Sequence, residues 1–559
     1  MDIRMGMRRL LLFWLLLGGL LSAQEPPRLV VGIVIDQMRY DYLNRYADHY
    51  GEGGFKRLLR EGYNFRNNQY DYTPTVTAPG HASIYTGTTP AVHGIIGNTW
   101  YDRQQRRMVS NVEDSTARLV GSVVENPYGL SSAQLLSPTL ADALEAATGS
   151  RGRTISLSLK DRGAIQPGGQ APDAVYWYDW ETSPGYFVSS SRYMKSLPAW
   201  VSRFNTLGKS DAYLDAGWEP MKPLTAYTES QPDDSPYETA IGGKQTPTFP
   251  YDFGAIKEAY LNRPGYYQFL MGIPAGNTLL REFAEEAIMA ERLGKDKVTD
   301  LICISFSVPD VAGHTYGTES VEFEDIYLRL DRELAALLNT LDQKVGVGRY
   351  LLFLTSDHGA LPPVSFLHDQ GEPAGLAQAA KYRQDLQFYL ARKYTAQDWI
   401  LHFGEDQVYL NHEIMAEKGI PLEVFQQDVA DFLSQQPYVE LALTATELQR
   451  DSVWEGLAAK MRAGFLPGRS GDVLLAYAPG VQATLDYRLR LETVKGSVHG
   501  SGHDYDSHVP LIWFGAGIPH GESDREVHPR DIAPTVARIL RIPPPADHTG
   551  RVLMEIVKE

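Results

Sequence analysis

Three apolar stretches of this sequence run directly into residues that can hold a metal. Arg28-Leu-Val-Val-Gly-Ile-Val-Ile35 ends at Asp36. Leu301-Ile-Cys-Ile-Ser-Phe306 leads to Asp310 and, four residues on, His314. Tyr350-Leu-Leu-Phe-Leu-Thr355 leads to Ser356-Asp357-His358-Gly359. Carboxylate oxygens and imidazole nitrogens are ligands for divalent ions of the zinc type. A fourth stretch, Thr73-Pro-Thr-Val-Thr77-Ala-Pro-Gly-His81-Ala-Ser83, offers a hydroxyl. The patterned residues after it predict a helix starting near Pro79, with Thr77 just before its N-terminus. There the free N–H groups and the helix dipole favour an anion. A hydroxyl beside an anion site is a candidate nucleophile if something lowers its pKa. Taken alone, Thr77 reads as a helix cap or turn residue, and Asp36 reads equally as a cap for a helix over Gln37 to Tyr46. Three strand ends carrying the same chemistry are a much less accidental pattern than one.

Other polar residues are weaker signals singly. Asn98 lies in a glycine-bearing loop and has both a donor and an acceptor. Lys160 and Arg162, one residue apart after Thr154-Ile-Ser-Leu-Ser-Leu159, would point the same way from an extended segment and could hold an oxygen cluster. His499, His503 and His508 crowd a glycine-rich loop, from which one or two ligands are expected.

The elements that must position these groups follow from periodicity. The three apolar runs are rich in β-branched residues and read as buried, parallel strands, whose carboxyl ends are where open α/β sheets bind ligands. A helix is predicted from Asn277, with Gly294 as its stop, and a long core-packing helix from Phe323 to Leu341. Asp310 to Gly317 reads as a loop. Asp472 to Tyr477 reads as a strand, and Asp531 to Leu540 as a short amphipathic helix. Between about 163 and 275 the chain is rich in Tyr, Trp, Pro, Gly and Ser and reads as an irregular insertion. A second insertion of mixed helix and loop is expected from about 360 to 470, with helices near Val424 to Gln436.

With 559 residues the chain can form one large domain with insertions, or two or more domains. Its 43% hydrophobic and 22% charged residues are those of a globular protein. Arg4, Arg8 and Arg9, the twelve-residue apolar run Leu10 to Leu21 and then Ser22-Ala23 have the three parts of a secretory leader. The run is short for a membrane span, so a periplasmic or secreted chain beginning after about Ala23 and lacking a stable membrane anchor is expected. The net charge of −17, about −19 without that leader, argues against nucleic acid or an anionic membrane as partner. Cys303 is the single cysteine, so no internal disulfide supports the fold.

In this order the blocks Ile35-Asp36-Gln-Met-Arg39, Thr77-Ala-Pro-Gly-His81 through Asn98, Lys160-Asp-Arg162, Pro309-Asp310 through His314, and Ser356-Asp357-His358-Gly359 with His499-Gly500 resemble the alkaline phosphatase superfamily. The chain is most similar to the PafA-type periplasmic alkaline phosphatases, and more distantly to the nucleotide pyrophosphatase/phosphodiesterases. The resemblance implies an α/β, alkaline-phosphatase-like three-layer sandwich over residues 24–559, with a largely parallel sheet interrupted by the two insertions. It implies two Zn²⁺, one held by Asp36, Asp357 and His358 together with Thr77, the other by Asp310, His314 and His499. His503 and His508 are the alternatives to His499. It further implies Thr77 as the nucleophile of a phosphothreonine intermediate, and Asn98, Lys160 and Arg162 as contacts to phosphoryl oxygens. A monomer hydrolysing a broad range of small phosphate monoesters and releasing inorganic phosphate is then expected. Two positive ions would also explain how an acidic protein accepts an anion.

A phosphodiesterase of the same superfamily would share the ligands and Thr77, but with one fewer charged oxygen it would not need Lys160 and Arg162. A sulfatase would need Cys or Ser where Thr77 stands. A cofactor-independent mutase does not fit an exported chain. A non-catalytic phosphoryl-binding surface protein would be expected to have lost at least one of these groups.

Overall fold

The structure is a computed structural model that describes residues 25–124, 129–260 and 265–557. The leader expected over the first 23 residues lies outside the described residues. Ten strands form the main sheet: β1 (Leu29–Ile35), β2 (Tyr63–Phe65), β3 (Leu119–Val120), β4 (Thr154–Ser158), β5 (Ala174–Asp179), β6 (Tyr186–Ser190), β7 (Asp300–Phe306), β8 (Tyr350–Thr355), β9 (Leu511–Gly515) and β10 (Gly521–Ser523). Their order across the sheet is β10-β2-β9-β8-β1-β7-β4-β5-β6-β3. The central strands β8, β1, β7, β4 and β5 are mutually parallel, and antiparallel strands flank them.

Every residue of β1 is buried, as an apolar, β-branched run covered on both faces requires. Its side chains alternate between two cores. Val31, Ile33 and Ile35 join Leu280 and Phe283 of α3 (Pro274–Ala290) and Leu330 and Leu334 of α5 (Val321–Leu341). Val30 and Val34 join Ile84 and Tyr85 of α1 (Thr77–Thr86) and Val536 and Leu540 of α6 (Ile532–Leu540). The result is a three-layer α/β sandwich. Burial of each such Leu or Phe contributes about 1.5–3 kcal/mol, and Leu334→Ala should cost about 2–5 kcal/mol. Gly32 sits where a Cβ would lie 2.4 Å from the Tyr85 hydroxyl, so its lack of a side chain lets α1 close on the sheet. At α5 the Ser320 hydroxyl accepts from the Phe323 N–H at 3.1 Å, which fixes the start of this helix.

Several expectations need correction. Ala174–Asp179 and Tyr186–Ser190, placed in an irregular insertion, are strands of the main sheet; short aromatic strands there were hidden among turn residues. The second region is not only helix and loop. Ile400–Phe403, Gln407–Leu410, Val473–Tyr477 and Val439–Thr444 form an antiparallel sheet, with its own core around Trp399, Phe425 and Leu433. Those strands are short, and Ile400–Phe403 and Val439–Thr444 are partly exposed, so their apolar signal is weak. The segment Asp310 to Tyr316 is not a loop but lies in helix α4 (Val308–Tyr316), with Gly317 as its C-cap, because Pro309 falls in the first turn, where proline is tolerated. The helix expected over Gln37 to Tyr46 is one turn, Tyr42–Arg45; Gln37 has φ +66°, which no α-helix permits. Among the described residues no helix is long and apolar enough to cross a membrane.

Candidate metal centre and nucleophile

Neighbouring strands β8, β1, β7 and β4 deliver their carboxyl ends to one place, as open parallel sheets do at ligand sites. Asp36 ends β1 and its N–H donates to the Phe306 carbonyl at 3.0 Å. Asp357 and His358 follow β8. Their turn is held by the Ser356 hydroxyl, which donates to the His358 carbonyl at 2.7 Å and accepts from the Met38 N–H at 2.9 Å. Asp310 lies in the first turn of α4, one helical turn before His314. Asp36, Asp357, His358 and Asp310 are all buried.

All three candidate histidines donate from Nδ1 to a backbone carbonyl: His358 to Gly359 at 2.9 Å, His314 to Ser497 at 2.8 Å, and His499 to Thr75 at 3.0 Å. Each is thereby left with Nε2 as a lone-pair donor, the arrangement usual for metal-binding imidazoles. The three Nε2 atoms converge. His499 Nε2 lies 3.2 Å from His314 Nε2 and 3.3 Å from Asp310 Oδ1. The His358 and His499 rings stack with centroids 3.7 Å apart. The other two histidines of the loop are engaged elsewhere: Nε2 of His503 donates to the Tyr477 carbonyl and Nε2 of His508 to the Arg66 carbonyl.

These residues fit a cation. Asp36 Oδ1, Asp357 Oδ2 and His358 Nε2 are buried without a hydrogen-bond partner, and one ligand atom from each lies within 4.8 Å of the others. A buried polar atom left unpaired costs about 1–3 kcal/mol, so three such atoms facing one another are explained by a shared positive ion. Asp310, His358 and His499 form a second group of the same size. His358 thus stands between the two groups rather than with the first alone, and His314 completes the second from the solvent side, 3.3 Å from Asp310.

The electrostatics are those of crowded carboxylates. Burial raises Asp36 well above its ordinary range, and the charges of Asp310 and Asp357 add to it. For Asp310, burial is outweighed by Lys160 and His314, which hold it low. For Asp357, burial is outweighed by His358 and His81. Burial pushes His358 down to about 3, so it is a neutral imidazole. Lys160, itself buried, bridges two of the carboxylates: its Nζ is 2.6 Å from Asp36 Oδ2 and also bonds Asp310 Oδ2. Burial lowers its pKa, but the charges of Asp310 and Asp36 outweigh that and raise it.

Thr77 is the first residue of α1, after Val76 in an extended conformation. It was expected just outside this helix. The Asn98 side-chain oxygen accepts the Ala78 N–H at 2.9 Å, which satisfies one free N-terminal donor. The amide Nδ2 of Asn98 makes no bond among the described residues. Lys160 immediately precedes helix α2 (Asp161–Gly168), and Arg162 is inside it, so the pair does not project from one extended segment as expected. The two still reach one cavity, of about 580 Å³, whose wall includes Thr77, Asn98, Lys160, Arg162, Asp310, His314 and His499. Nε of Arg162 is buried and unpartnered.

Reasoning from sequence missed four supporting residues. Gln37 donates its backbone N–H to Asp357 and its side-chain amide to Asp310. His81, one turn after Thr77, bonds the Thr77 carbonyl and the Ser305 hydroxyl, with Nδ1 3.2 Å from Asp357. A Cβ on Gly80 would lie 2.2 Å from the Asp357 carbonyl oxygen, so glycine lets helix α1 approach the end of β8. Asp506 accepts from Gly500, Ser501 N–H and the Ser501 hydroxyl, shaping the loop that carries His499. The Gly80-His81 pair so close after Thr77 was the one available signal; Gln37 and Asp506 carried none.

Comparison with known proteins agrees with this geometry. A family model described as type I phosphodiesterase / nucleotide pyrophosphatase matches residues 30–506. Alkaline phosphatase PafA of Elizabethkingia meningoseptica is 38% identical over 555 residues, covering 98% of this chain and 99% of that one. Alkaline phosphatase PhoV of Synechococcus elongatus is 39% identical over 532 residues, covering 95% and 93%. The crystal structure of wild-type alkaline phosphatase PafA matches with a TM-score of 0.89 at 37% identity, over 96% of this chain and 100% of that one. The chain therefore belongs to the type I phosphodiesterase / nucleotide pyrophosphatase family and, within the alkaline phosphatase superfamily, to the PafA-type alkaline phosphatases.

Proposed function

We propose that the protein hydrolyses small phosphate monoesters through a covalent phosphothreonine at Thr77. The observation that carries this reading is the meeting of Thr77, Lys160 and Arg162 in one cavity beside three buried carboxylates and three inward-facing imidazoles. Asp36, Asp357 and His358 would hold one ion, and Asp310, His314 and His499 the other. A mixed Asp and His set suits Zn²⁺ better than Mg²⁺. Such ions, when bound, supply the positive charge that lowers the pKa of a nearby hydroxyl and offsets the phosphoryl charge.

The chain's own groups account for the rest. The N-terminus of α1 fixes Thr77 Oγ1 at the cavity wall, where it attacks phosphorus in line with the departing alcohol. One P–O bond forms to Thr77 as the bond to the alcohol breaks. Water then cleaves the phosphothreonine, releases inorganic phosphate and restores the hydroxyl. The free Nδ2 of Asn98, the Lys160 ammonium and the Arg162 guanidinium hold the non-bridging oxygens, and they do most where charge accumulates. A monoester carries one more charged oxygen than a diester, and Lys160 and Arg162 answer that difference. The family model's name keeps a diesterase as the second reading. We place the protein outside the cytoplasm as a monomer, after loss of a leader near Ala23.

The test is a pair of kcat/KM values, for an aryl phosphate monoester and the matching diester, on protein stripped of metal and reloaded with zinc. A strong zinc-dependent preference for the monoester is expected. A preference for the diester would assign the site to phosphodiester hydrolysis and leave Lys160 and Arg162 with a structural role.

A further inference from the structure

We propose that a second cavity, on the His314–His499 side of the centre, is a leaving-group subsite that selects monoesters whose alcohol carries an ammonium group. This rests on the monoesterase reading above. The cavity has a volume of about 430 Å³ and shares Asn98, His314 and His499 with the phosphoryl cavity, but not Thr77, Lys160 or Arg162. In an in-line displacement the alcohol leaves opposite the nucleophile. A space that touches His314 and His499, ligands of the ion not assigned to Thr77, and does not touch Thr77 itself, is on the departing side.

Apart from the ion that His314 and His499 would hold, the charged groups of its wall are all acidic. Glu405, Asp406 and Asp506 line it, and no Lys or Arg does among the described residues. Neither Glu405 nor Asp406 has an ion-pair partner among the described residues. Asp506 is only 1% exposed, and its Oδ1 has no hydrogen-bond partner. Tyr477 and Tyr505 belong to the same wall, and aromatic side chains can attract cations. Glu405 and Asp406 sit on the turn between Ile400–Phe403 and Gln407–Leu410. That turn is tied to the neighbouring strand, because Leu475 N–H donates to the Asp406 carbonyl at 2.7 Å and the Tyr477 hydroxyl bonds the Glu405 carbonyl. The antiparallel sheet of the second inserted region therefore builds this wall. Glu405 is exposed and Asp406 half-buried, so both carboxylates present uncompensated negative charge to the cavity. A cation placed between them would pair with both carboxylates, whereas a leaving group with its own carboxylate or second phosphate would be repelled.

The test compares kcat/KM for choline phosphate, its uncharged isostere 3,3-dimethylbutyl phosphate, and phosphoglycolate, at about pH 8.5, above the ordinary carboxylate range. An aryl phosphate monoester is run alongside. The zinc-loaded full chain and its Glu405→Gln/Asp406→Asn variant are used. The wild type should favour choline phosphate over the isostere by about fivefold or more. The double variant should lose that preference and gain on phosphoglycolate relative to the isostere. A wild-type ratio near one overturns the subsite without any variant, and so does a ratio that the double variant leaves unchanged. No turnover even of the aryl monoester by the wild type would instead remove the monoesterase reading, and the subsite with it.

Discussion

The carboxamide of Gln37 donates to Asp310 Oδ1 at 2.9 Å, across 273 positions of sequence. Its backbone N–H reaches Asp357 Oδ1 at 3.2 Å. One residue thus orients a carboxylate of each proposed metal set, from a left-handed backbone with φ +66°. Gln37→Ala should weaken zinc binding about 10–100-fold, as read by competition with a chromogenic chelator. Gly313→Ala should do the same, because a Cβ there would lie 1.8 Å from Gln37 Oε1. Unchanged zinc affinity in both would mean that Gln37 only fills space.

Lys160 and Arg162 should discriminate between substrates. Lys160→Ala and Arg162→Ala are each expected to lower kcat/KM for an aryl monoester about 100-fold or more, and for the diester far less. Equal losses on the two substrates would contradict their assignment to the extra charged oxygen. For Lys160 a thermal melt is needed as control, since its ammonium also compensates buried Asp36 and Asp310.

Metal removal should be visible in stability. Asp36, Asp310 and Asp357 lie together in the interior, and burial and the charges of Asp310 and Asp357 oppose the ionisation of Asp36. Zinc held at about 100–1,000 times its Kd would add about 3–4 kcal/mol to the folded state. The melting temperature with excess chelator should therefore fall clearly below that with zinc. Coincident melts would contradict metal binding by these groups.

A buried acid pair away from the centre predicts how stability depends on pH. Glu322, near the start of α5, accepts from the Tyr251 hydroxyl at 2.6 Å; both oxygens of Glu238 are buried without a partner. Burial raises both carboxyls well above their usual range, and for Glu238 the Glu322 charge adds to it. The folded protein therefore holds protons that the unfolded chain gives up above about pH 4.3. Folded protein then binds more protons than unfolded, so the stabilisation is complete below that pH and is lost as pH climbs through the raised native values. Glu238→Gln should flatten this decline and melt about 2 °C or more above the wild type near pH 9. Parallel melting curves against pH would rule the coupling out.

The sequence by itself was enough for the parts written locally. Leu29–Ile35, Asp300–Phe306 and Tyr350–Thr355 are continuous apolar runs, and burial on both faces of a sheet demands that composition over a few adjacent residues. Asp36, Asp310, His314, Asp357 and His358 could be marked because they stand directly after such runs. Other features depend on distance in space. Val473–Tyr477 reads as a strand, but only the fold assigns it to a separate sheet, one that walls the second cavity. Lys160 looks like a surface turn residue until the parallel order of β1, β7 and β4 sets it between Asp36 and Asp310, 124 and 150 positions away. Among His499, His503 and His508, the spacing of the resembling family already favours His499, but nothing local shows what the other two do. The tertiary structure turns His499 toward Asp310 and ties the other two to the Tyr477 and Arg66 carbonyls. Periodicity encodes which face of an element is buried; which polar groups meet is decided only when remote strands align, because hydrogen bonds and metal ligation act over a few ångströms of space and carry no signature along the chain.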